Sequence, residues 1–316
     1  MRLMLIVNTS ASSVTPRARV MVQKTLSGGH DVVCKETNRR GHAARLAQGA
    51  AADGFDTVVV LAGDGTLNEA VNGLAGSQTA LAALPGGSTN VFARTIGTPS
   101  DPVEAARQLL AALAEGSLER VGLGQANGRY FLLHAGIGFD AAVVAGVEKR
   151  ASLKRYTGPA AFLLAALSCW VGGYDRKHPA FSVSTGDLSI EGAYFSLFLN
   201  SDPYTFLGNR PLHVAPGTPL GGPMSLVTFD KLTLATLLPV AAAALGQGVK
   251  GGKRPHFMTA RDVKRATVVG RHPVPYQLDG DYAGEAQRIE LAWSGEELLI
   301  VIPDKGRVFD DRPFQS

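Results

Sequence analysis

The residues that could do chemistry sit in three short turns. Gly63-Asp64-Gly65-Thr66 follows an apolar run, Thr57 to Leu61, and precedes a pattern of Leu67, Ala70, Val71 and Leu74 with helical spacing, for which Gly73 and Gly76 mark the stop. Glycines at 63 and 65 are expected to take positive φ and bring the backbone close to a ligand. The helix starting beside them points unpaired N–H groups at the same place, which suits an anion. Asp64 would repel a phosphate unless a cation lay between them, so the combination predicts a phosphate held through Mg²⁺, with Asp64 on the metal directly or through its water. A second glycine turn, Pro85-Gly86-Gly87-Ser88-Thr89-Asn90, follows the apolar strand Ala80 to Leu84 and opens the helical segment Val91 to Ile96. Far along the chain, Asp279-Gly280-Asp281 places two acids around a glycine at a strand end, which taken alone reads as a solvated turn. Gly-Asp-Gly alone would also be turn chemistry. Its setting between strand and helix, repeated one strand later, points instead to a phosphate site.

These turns need a frame. From Arg2 to Arg94 the pattern alternates: strand Arg2 to Val7, helix Arg17 to Leu26, strand Asp31 to Glu36, helix His42 to Ala52, then the two strands and turns above. Such alternation predicts a doubly wound α/β domain, a mostly parallel sheet covered by helices, with ligands beyond the carboxyl ends of the strands. The residues there are Asn8-Thr9-Ser10-Ala11-Ser12, Thr37 with Gly41-His42-Ala43, Gly63 to Thr66, and Gly86 to Asn90, all small, polar or glycine except His42. A helix from Pro102 to Ala114 closes this half. Leu118 to Gln125 and Gly128 to Ala135 then read as a hairpin about Asn127-Gly128. Beyond an apolar helix from Pro159 to Val171, strands are expected at Phe181 to Thr185, Leu188 to Asn200, Met224 to Phe229, Thr267 to Gly270, Val274 to Leu278, Ala286 to Trp293 and Glu297 to Ile302. Together they predict an antiparallel β-sandwich. The expected division is 1–120, 121–305 and a tail, 306–316, that could return to the first domain. Gly136-Ile137-Gly138-Phe139-Asp140-Ala141 imitates a dinucleotide fingerprint, but the acid expected at the end of a second parallel strand is missing, so that reading is rejected.

Gly63-Asp64-Gly65-Thr66-Leu67-Asn68-Glu69, together with Pro85 to Arg94, resembles the diacylglycerol kinase catalytic family, which includes bacterial lipid kinases, sphingosine kinases and ceramide kinases. Ala62, Ser88 and Val91 depart from the family's pattern. Gly136 to Ala141 matches its Gly-x-Gly-Phe-Asp-Ala segment, and Asn8 to Ser12 partly matches its nucleotide loop, with Thr9 and Ser12 standing where proline and glycine would be. The resemblance implies ATP–Mg²⁺ over Asn8, Thr9, Ser10, Ala11, Ser12, Thr37, Gly63, Asp64, Gly65, Thr66, Asn68, Glu69 and Ser88, with Asp64 acting through the metal. It also implies that Asp279-Gly280-Asp281 is the family's Asp-Gly-Glu motif, with Asp279 or Asp281 as general base and the shorter Asp281 at the glutamate position. The site would lie in the interdomain cleft, with a lipid hydroxyl as acceptor. A further structural Mg²⁺ is held in the family by aspartates after Ala-Pro. Here Ala215 to Pro223 contains no carboxylate. Two other readings remain: an NAD kinase-like enzyme, which shares the Gly-Asp-Gly-Thr signature, and a nucleotide-binding regulator without catalysis.

A net charge of +4 is too small to argue for nucleic acid, but it suits nucleotide phosphates or an anionic membrane face. Basic clusters at Lys149-Arg150 with Lys154-Arg155, and from Lys250 to Arg265, are read as solvated faces. Cys34 and Cys169 stand far apart without metal or redox spacing, favouring a reducing compartment. Neither Pro159 to Val171 nor Leu232 to Leu245 reaches the ~20 apolar residues of a membrane span, so both are expected to pack in the core. The expectation is therefore a cytoplasmic protein, peripheral at the membrane, with a lipid substrate, no nucleic-acid partner and a homodimer allowed.

Overall fold

A computed structural model of the 316-residue chain describes residues 1–149, 180–186, 188–246, 248, 253–254 and 256–303. The expected helix Pro159 to Val171, the basic residues 150, 154, 155 and 250, Cys169 and the tail 306–316 lie outside the described residues. The chain divides into two units, Met1–Val121 joined by the segment from Glu296, and Gly122–Gly295.

The first unit runs β1 (Arg2–Val7), α1 (Pro16–Ser27), β2 (Asp31–Glu36), α2 (His42–Ala52), β3 (Thr57–Ala62), α3 (Asp64–Leu74), β4 (Ala80–Pro85), α4 (Val91–Thr95) and α5 (Pro102–Ala114) into the start of β5 (Leu118–Ala126). Its strands pair in parallel in the order β2-β1-β3-β4. Every residue of β3 and β4 is buried, because helices cover both faces of a parallel sheet, and this is why the two strands read as unbroken apolar runs. Leu3, Leu5, Val59 and Leu61 pack with Val22 and Leu26 of α1 and Leu109 and Leu113 of α5. The alternate residues Met4, Ile6, Val58 and Val60 are buried as well, toward α2 and α3. Gly73 does not end α3 as expected. It lies inside the helix, where a Cβ would collide with the Ala44 carbonyl of α2, so it sets the closeness of that pair.

The second unit completes β5 and adds β6 (Arg129–Phe131), β7 (His134–Gly138), α6 (Phe139–Lys149), β8 (Phe181–Thr185), β9 (Ser189–Ala193), β10 (Phe195–Leu199), β11 (Thr205–Leu207), β12 (Arg210–Leu212), β13 (Met224–Phe229), α7 (Leu234–Leu245), β14 (Lys253–Arg254), β15 (Phe257–Val263), β16 (Arg265–Leu278) and β17 (Asp281–Val301). Its main strands are antiparallel in the order β14-β15-β13-β10-β7-β16-β17. The first half of β16 pairs with β8 and its last residues pair with β7, with a register break between Val269 and Val274. One strand thereby serves two groups of partners, and Phe181, Val183 and Ile190 of one group share a core with Ile137, Phe198 and Leu226 of the other.

Several strands differ from expectation. Thr267 to Gly270 and Val274 to Leu278 are one strand, β16, whose register shift between Val269 and Val274 interrupts the pairing without ending the strand, and Ala286 to Trp293 runs on through Glu297 to Val301 in β17. Leu188 to Asn200 is instead two strands, broken at Tyr194, whose N–H donates to Phe229 O while its carbonyl accepts from Phe139. The strand expected at Gly128 to Ala135 is interrupted at Leu132 and Leu133. The segment Leu232 to Leu245, expected in the core, buries one face only. The chain also returns to the first unit earlier than expected: Gly76 N–H donates to Glu297 O (2.8 Å), Ile300 pairs in parallel with Leu81, and Ile302 N–H donates to Ser117 O (3.0 Å).

Candidate functional sites

In the first unit, the loops after β1, β2, β3 and β4 are tied to one another at the carboxyl ends of the strands. Asp64 opens α3, and its carboxylate accepts the N–H groups of Val91 (2.9 Å) and Phe92 (3.1 Å), capping α4. Asn90, held at φ 50°, accepts from the N–H groups of Gly86 (3.2 Å) and Gly87 (2.7 Å) and donates to Gly87 O (2.9 Å), closing the second turn. A Cβ on Gly87 would stand 2.7 Å from Gly63 Cα. The expected positive φ at Gly63 is not found: its φ is −85° and Gly65 lies in the first turn of α3. These glycines serve the approach of one turn to the other, and Gly63 needs no left-handed backbone for it.

The first loop joins the same cluster. Asn8 donates from Nδ2 to Thr66 Oγ1 (3.0 Å) and accepts Ser10 N–H at Oδ1 (3.0 Å), while Ser13 donates from its N–H to Gly86 O (2.9 Å) and from Oγ to Gly87 O (3.1 Å). Ser10 and Ser88 are exposed, and Thr9, Ala11, Ser12, Thr37, Gly63, Gly65 and Thr66 are exposed or half-buried beside them. Asn68 and Glu69 are placed differently. A helix turns about 100° per residue, so only the first turn of α3 faces the strand ends. Asn68 is buried, and Glu69 accepts the N–H groups of Gly41 (2.7 Å) and Ala43 (3.1 Å), capping α2, whose N-cap residue Gly41 has no side chain to do so. Glu69 thus holds the loop that carries Thr37.

The second unit sets the acidic turn with comparable care. Asp279 (φ 50°) and Gly280 (φ 83°) are both left-handed, a two-residue hairpin turn between β16 and β17 that suits Asp-Gly. The buried Asp279 carboxylate accepts three backbone N–H groups, from Leu132 (2.8 Å), Leu133 (2.8 Å) and His134 (2.9 Å). These bonds replace strand pairing there and explain the break between β6 and β7. The Asp279 carboxylate is thus buried and triply engaged, whereas Asp281 is half-buried at the start of β17.

Residues outside the acidic motif's two carboxylates hold that turn. Gln277, fully buried, accepts Gly280 N–H at Oε1 (2.7 Å) and donates from Nε2 to Asp140 Oδ2 (2.7 Å); Tyr204 donates its hydroxyl to Asp140 Oδ1 (2.9 Å). A Cβ on Gly136 would collide with both the Asp140 carboxylate and the Gln277 amide. The Gly-x-Gly that imitates a dinucleotide fingerprint therefore makes room for a buried hydrogen bond. His134 lies against Tyr204 with ring centroids 4.5 Å apart and the planes tilted by 50°, and burial lowers its pKa to about 4. Burial, with Asp140 alongside, pushes the Tyr204 hydroxyl well above its usual range.

The donor sets for metal differ between the two regions. At the start of α3 the Asp64 carboxylate and the Thr66 hydroxyl are oxygen donors of the kind Mg²⁺ takes with several waters. The loop 215–223 does not fit a structural Mg²⁺. It lacks carboxylates, and the Arg261 guanidinium donates to Pro216 O (2.6 Å) and Gly217 O (3.4 Å), covering carbonyls that a cation would need. Among the described residues no group of three or more His, Cys, Asp or Glu could hold a metal ion, and no helix is long and apolar enough to cross a membrane.

The diacylglycerol kinase catalytic domain matches residues 2–126 as a family profile. A diacylglycerol kinase of Bacillus subtilis is 29% identical over 300 residues, 92% of each chain, and one of Staphylococcus aureus is 32% identical over 280 residues, 85% of this chain and 81% of that one. A probable YegS-like lipid kinase of Pseudomonas aeruginosa is 35% identical over 184 residues, 57% of each chain. Among solved structures, a putative diacylglycerol kinase from Bacillus anthracis superposes with a TM-score of 0.75 at 21% identity, covering 95% of this chain and 96% of that one. An NAD kinase from Archaeoglobus fulgidus reaches only 0.54 at 11% identity, covering 98% and 97%. Both structures speak to fold alone: a mixed α/β N-terminal domain followed by an antiparallel β-rich region. By its sequence relatives, this chain belongs to the diacylglycerol kinase catalytic family.

Proposed function

We propose that this protein is an ATP-dependent lipid kinase that phosphorylates the hydroxyl of diacylglycerol or a related lipid. The observation that carries the reading is the cluster at the carboxyl ends of β1 to β4, where four loops present backbone N–H groups and the hydroxyls of Ser10, Thr66 and Ser88, braced by Asn8, Asp64, Glu69 and Asn90. N–H groups at the start of the 11-residue α3 favour the phosphates of the donor, and Thr37 stands on the loop that Glu69 fixes. Mg²⁺, when bound with the nucleotide, neutralises charge on the transferred group, and Asp64 is the residue that would hold its hydration shell. Asp281 takes the proton of the acceptor hydroxyl as its oxygen bonds to the γ-phosphorus and ADP leaves. The protein's share is alignment and charge placement more than covalent chemistry.

Incubation with γ-labelled ATP and Mg²⁺ against diacylglycerol, sphingoid base, ceramide, phosphatidylglycerol and NAD tests this directly. Label in a lipid, lowered by about 10²- to 10⁴-fold in Asp281→Asn, is the expected result. Label in NAD alone, or stabilisation by ATP–Mg²⁺ with no acceptor phosphorylated, would refute it.

A further inference from the structure

Helix α7 is unusual for a helix at a protein surface. Its sequence, Leu-Ala-Thr-Leu-Leu-Pro-Val-Ala-Ala-Ala-Ala-Leu, contains no charged residue. Its inner face, through Leu237, Val240 and Ala244, packs on Leu199, Val227 and Phe229. A surface helix ordinarily turns polar residues outward. Here the outward residues are Ala235, Leu238, Pro239, Ala241, Ala242 and Leu245, and Leu238 is 61% exposed. Pro239 removes one helical N–H and leaves the carbonyl one turn earlier without its usual donor, which suits a place where polar headgroups and water are at hand. Beside α7 lies β12, whose hairpin with β11 carries Leu207, 50% exposed, and Arg210, also exposed.

The exposed cations at the margin of this patch are Arg210 of β12 and Lys231 just before α7, and the acid next to them, Asp230, is paired with His256 Nδ1 at 2.8 Å. Apolar side chains at the centre with cations at the margin match an anionic bilayer surface: hydrocarbon below, phosphate headgroups around it. A second copy of the chain fits less well. A 12-residue helix is about 18 Å long, so its outer face offers far less than the roughly 800 Å² per partner of a stable interface.

We propose that α7 and the β11–β12 tip form a membrane-docking surface that seats in the headgroup layer of an anionic bilayer. This deepens the lipid-kinase reading by naming the element that meets the lipid phase, and its test is separable from that reading. The full chain is sedimented with vesicles of phosphatidylcholine alone and of phosphatidylcholine with phosphatidylglycerol, as wild type and as Leu207→Glu/Leu238→Glu. Thermal unfolding checks that the exposed substitutions leave the fold intact. Turnover on micellar short-chain diacylglycerol is measured alongside. The proposal expects binding only to the anionic vesicles, weakened roughly tenfold or more in the variant, since two exposed leucines lose their burial, with micellar turnover unchanged. Equal binding by variant and wild type, no binding by wild type, or a concentration-dependent dimer abolished by the substitutions would overturn it. Vesicle binding by a wild type that phosphorylates no lipid of the panel above would refute the kinase reading and leave the docking surface standing.

Discussion

Asp64 and Asp279 stand in similar local settings, each at the end of a strand and next to a glycine, and the carboxylate oxygens of each accept backbone N–H groups. The difference lies in where those N–H groups come from. Asp64 caps a helix 27 and 28 residues further on and stays half-buried at a strand end, where it can brace two turns and still serve a hydrated ion. Asp279 takes three N–H groups from residues 145 to 147 positions earlier and is sealed from solvent. Asp64 shapes the turns of the first unit while staying half-buried; Asp279 shapes the hairpin turn of the second unit from a buried position, and the proposed function gives the base's role to Asp281.

The largest test of that contrast is Asp281→Asn, expected to lower lipid phosphorylation by about 10²- to 10⁴-fold with an unchanged urea midpoint, since a positioned base contributes on that scale. Asp281→Glu, which restores the family's side chain, should retain turnover. Asp279→Ala should act mainly on stability. Three N–H groups lose a buried partner, a cost on the order of 3 kcal/mol or more, read by urea unfolding. A fully stable Asp279→Ala that had lost only turnover would reverse the two assignments.

Acid should weaken the second unit through His134. Its folded pKa is about 4 against 6.5 unfolded, so as pH falls the unfolded chain takes up the proton first. The stability it contributes is complete above pH 6.5 and is lost down to about 4, up to roughly 3 kcal/mol. His134→Gln should therefore be less pH-sensitive than wild type over that window. In the first unit, Glu69→Gln should cost about 1 kcal/mol by weakening the cap on α2 and should raise KM for ATP more than it lowers kcat, as expected of a residue that acts by holding the Thr37 loop. The smallest effect is expected at Arg261. Arg261→Met should lower stability by about 1 kcal/mol or less, because the residue is exposed, and EDTA should leave the wild-type melting temperature unchanged.

The same contrast separates what was legible in the sequence from what was not. The first unit is built from short-range rules, apolar runs of strand length, helical spacing and glycine turns, and its strands and helices lie within a residue or two of where those rules put them. The second unit depends on long strands with bulges. β15, reading Phe-Met-Thr-Ala-Arg-Asp-Val, shows no apolar alternation to find, and β16 continues through Arg271-His272-Pro273, which interrupts the pattern without ending the strand. At the sites, the glycine turns were visible because their spacing is local. The division of labour between Asp279 and Asp281 was not, since it is decided by N–H groups nearly half the chain away. Gln277, Tyr204 and His134 gave no local signal, and Asp140 stood in a recognised motif without showing what it binds.

The return of the chain to the first unit has a consequence for how the protein is made. Strand β4 has β3 on one side, and on the other it waits for Ile300, as Ser117 waits for Ile302. On the ribosome, the whole second unit is synthesised before those residues emerge. Until then the nascent first unit carries an uncovered strand border, the kind of surface to which another unfinished chain can add itself. A fragment ending at Val121 would keep that border permanently, so the unit is contiguous in space but not a portable module.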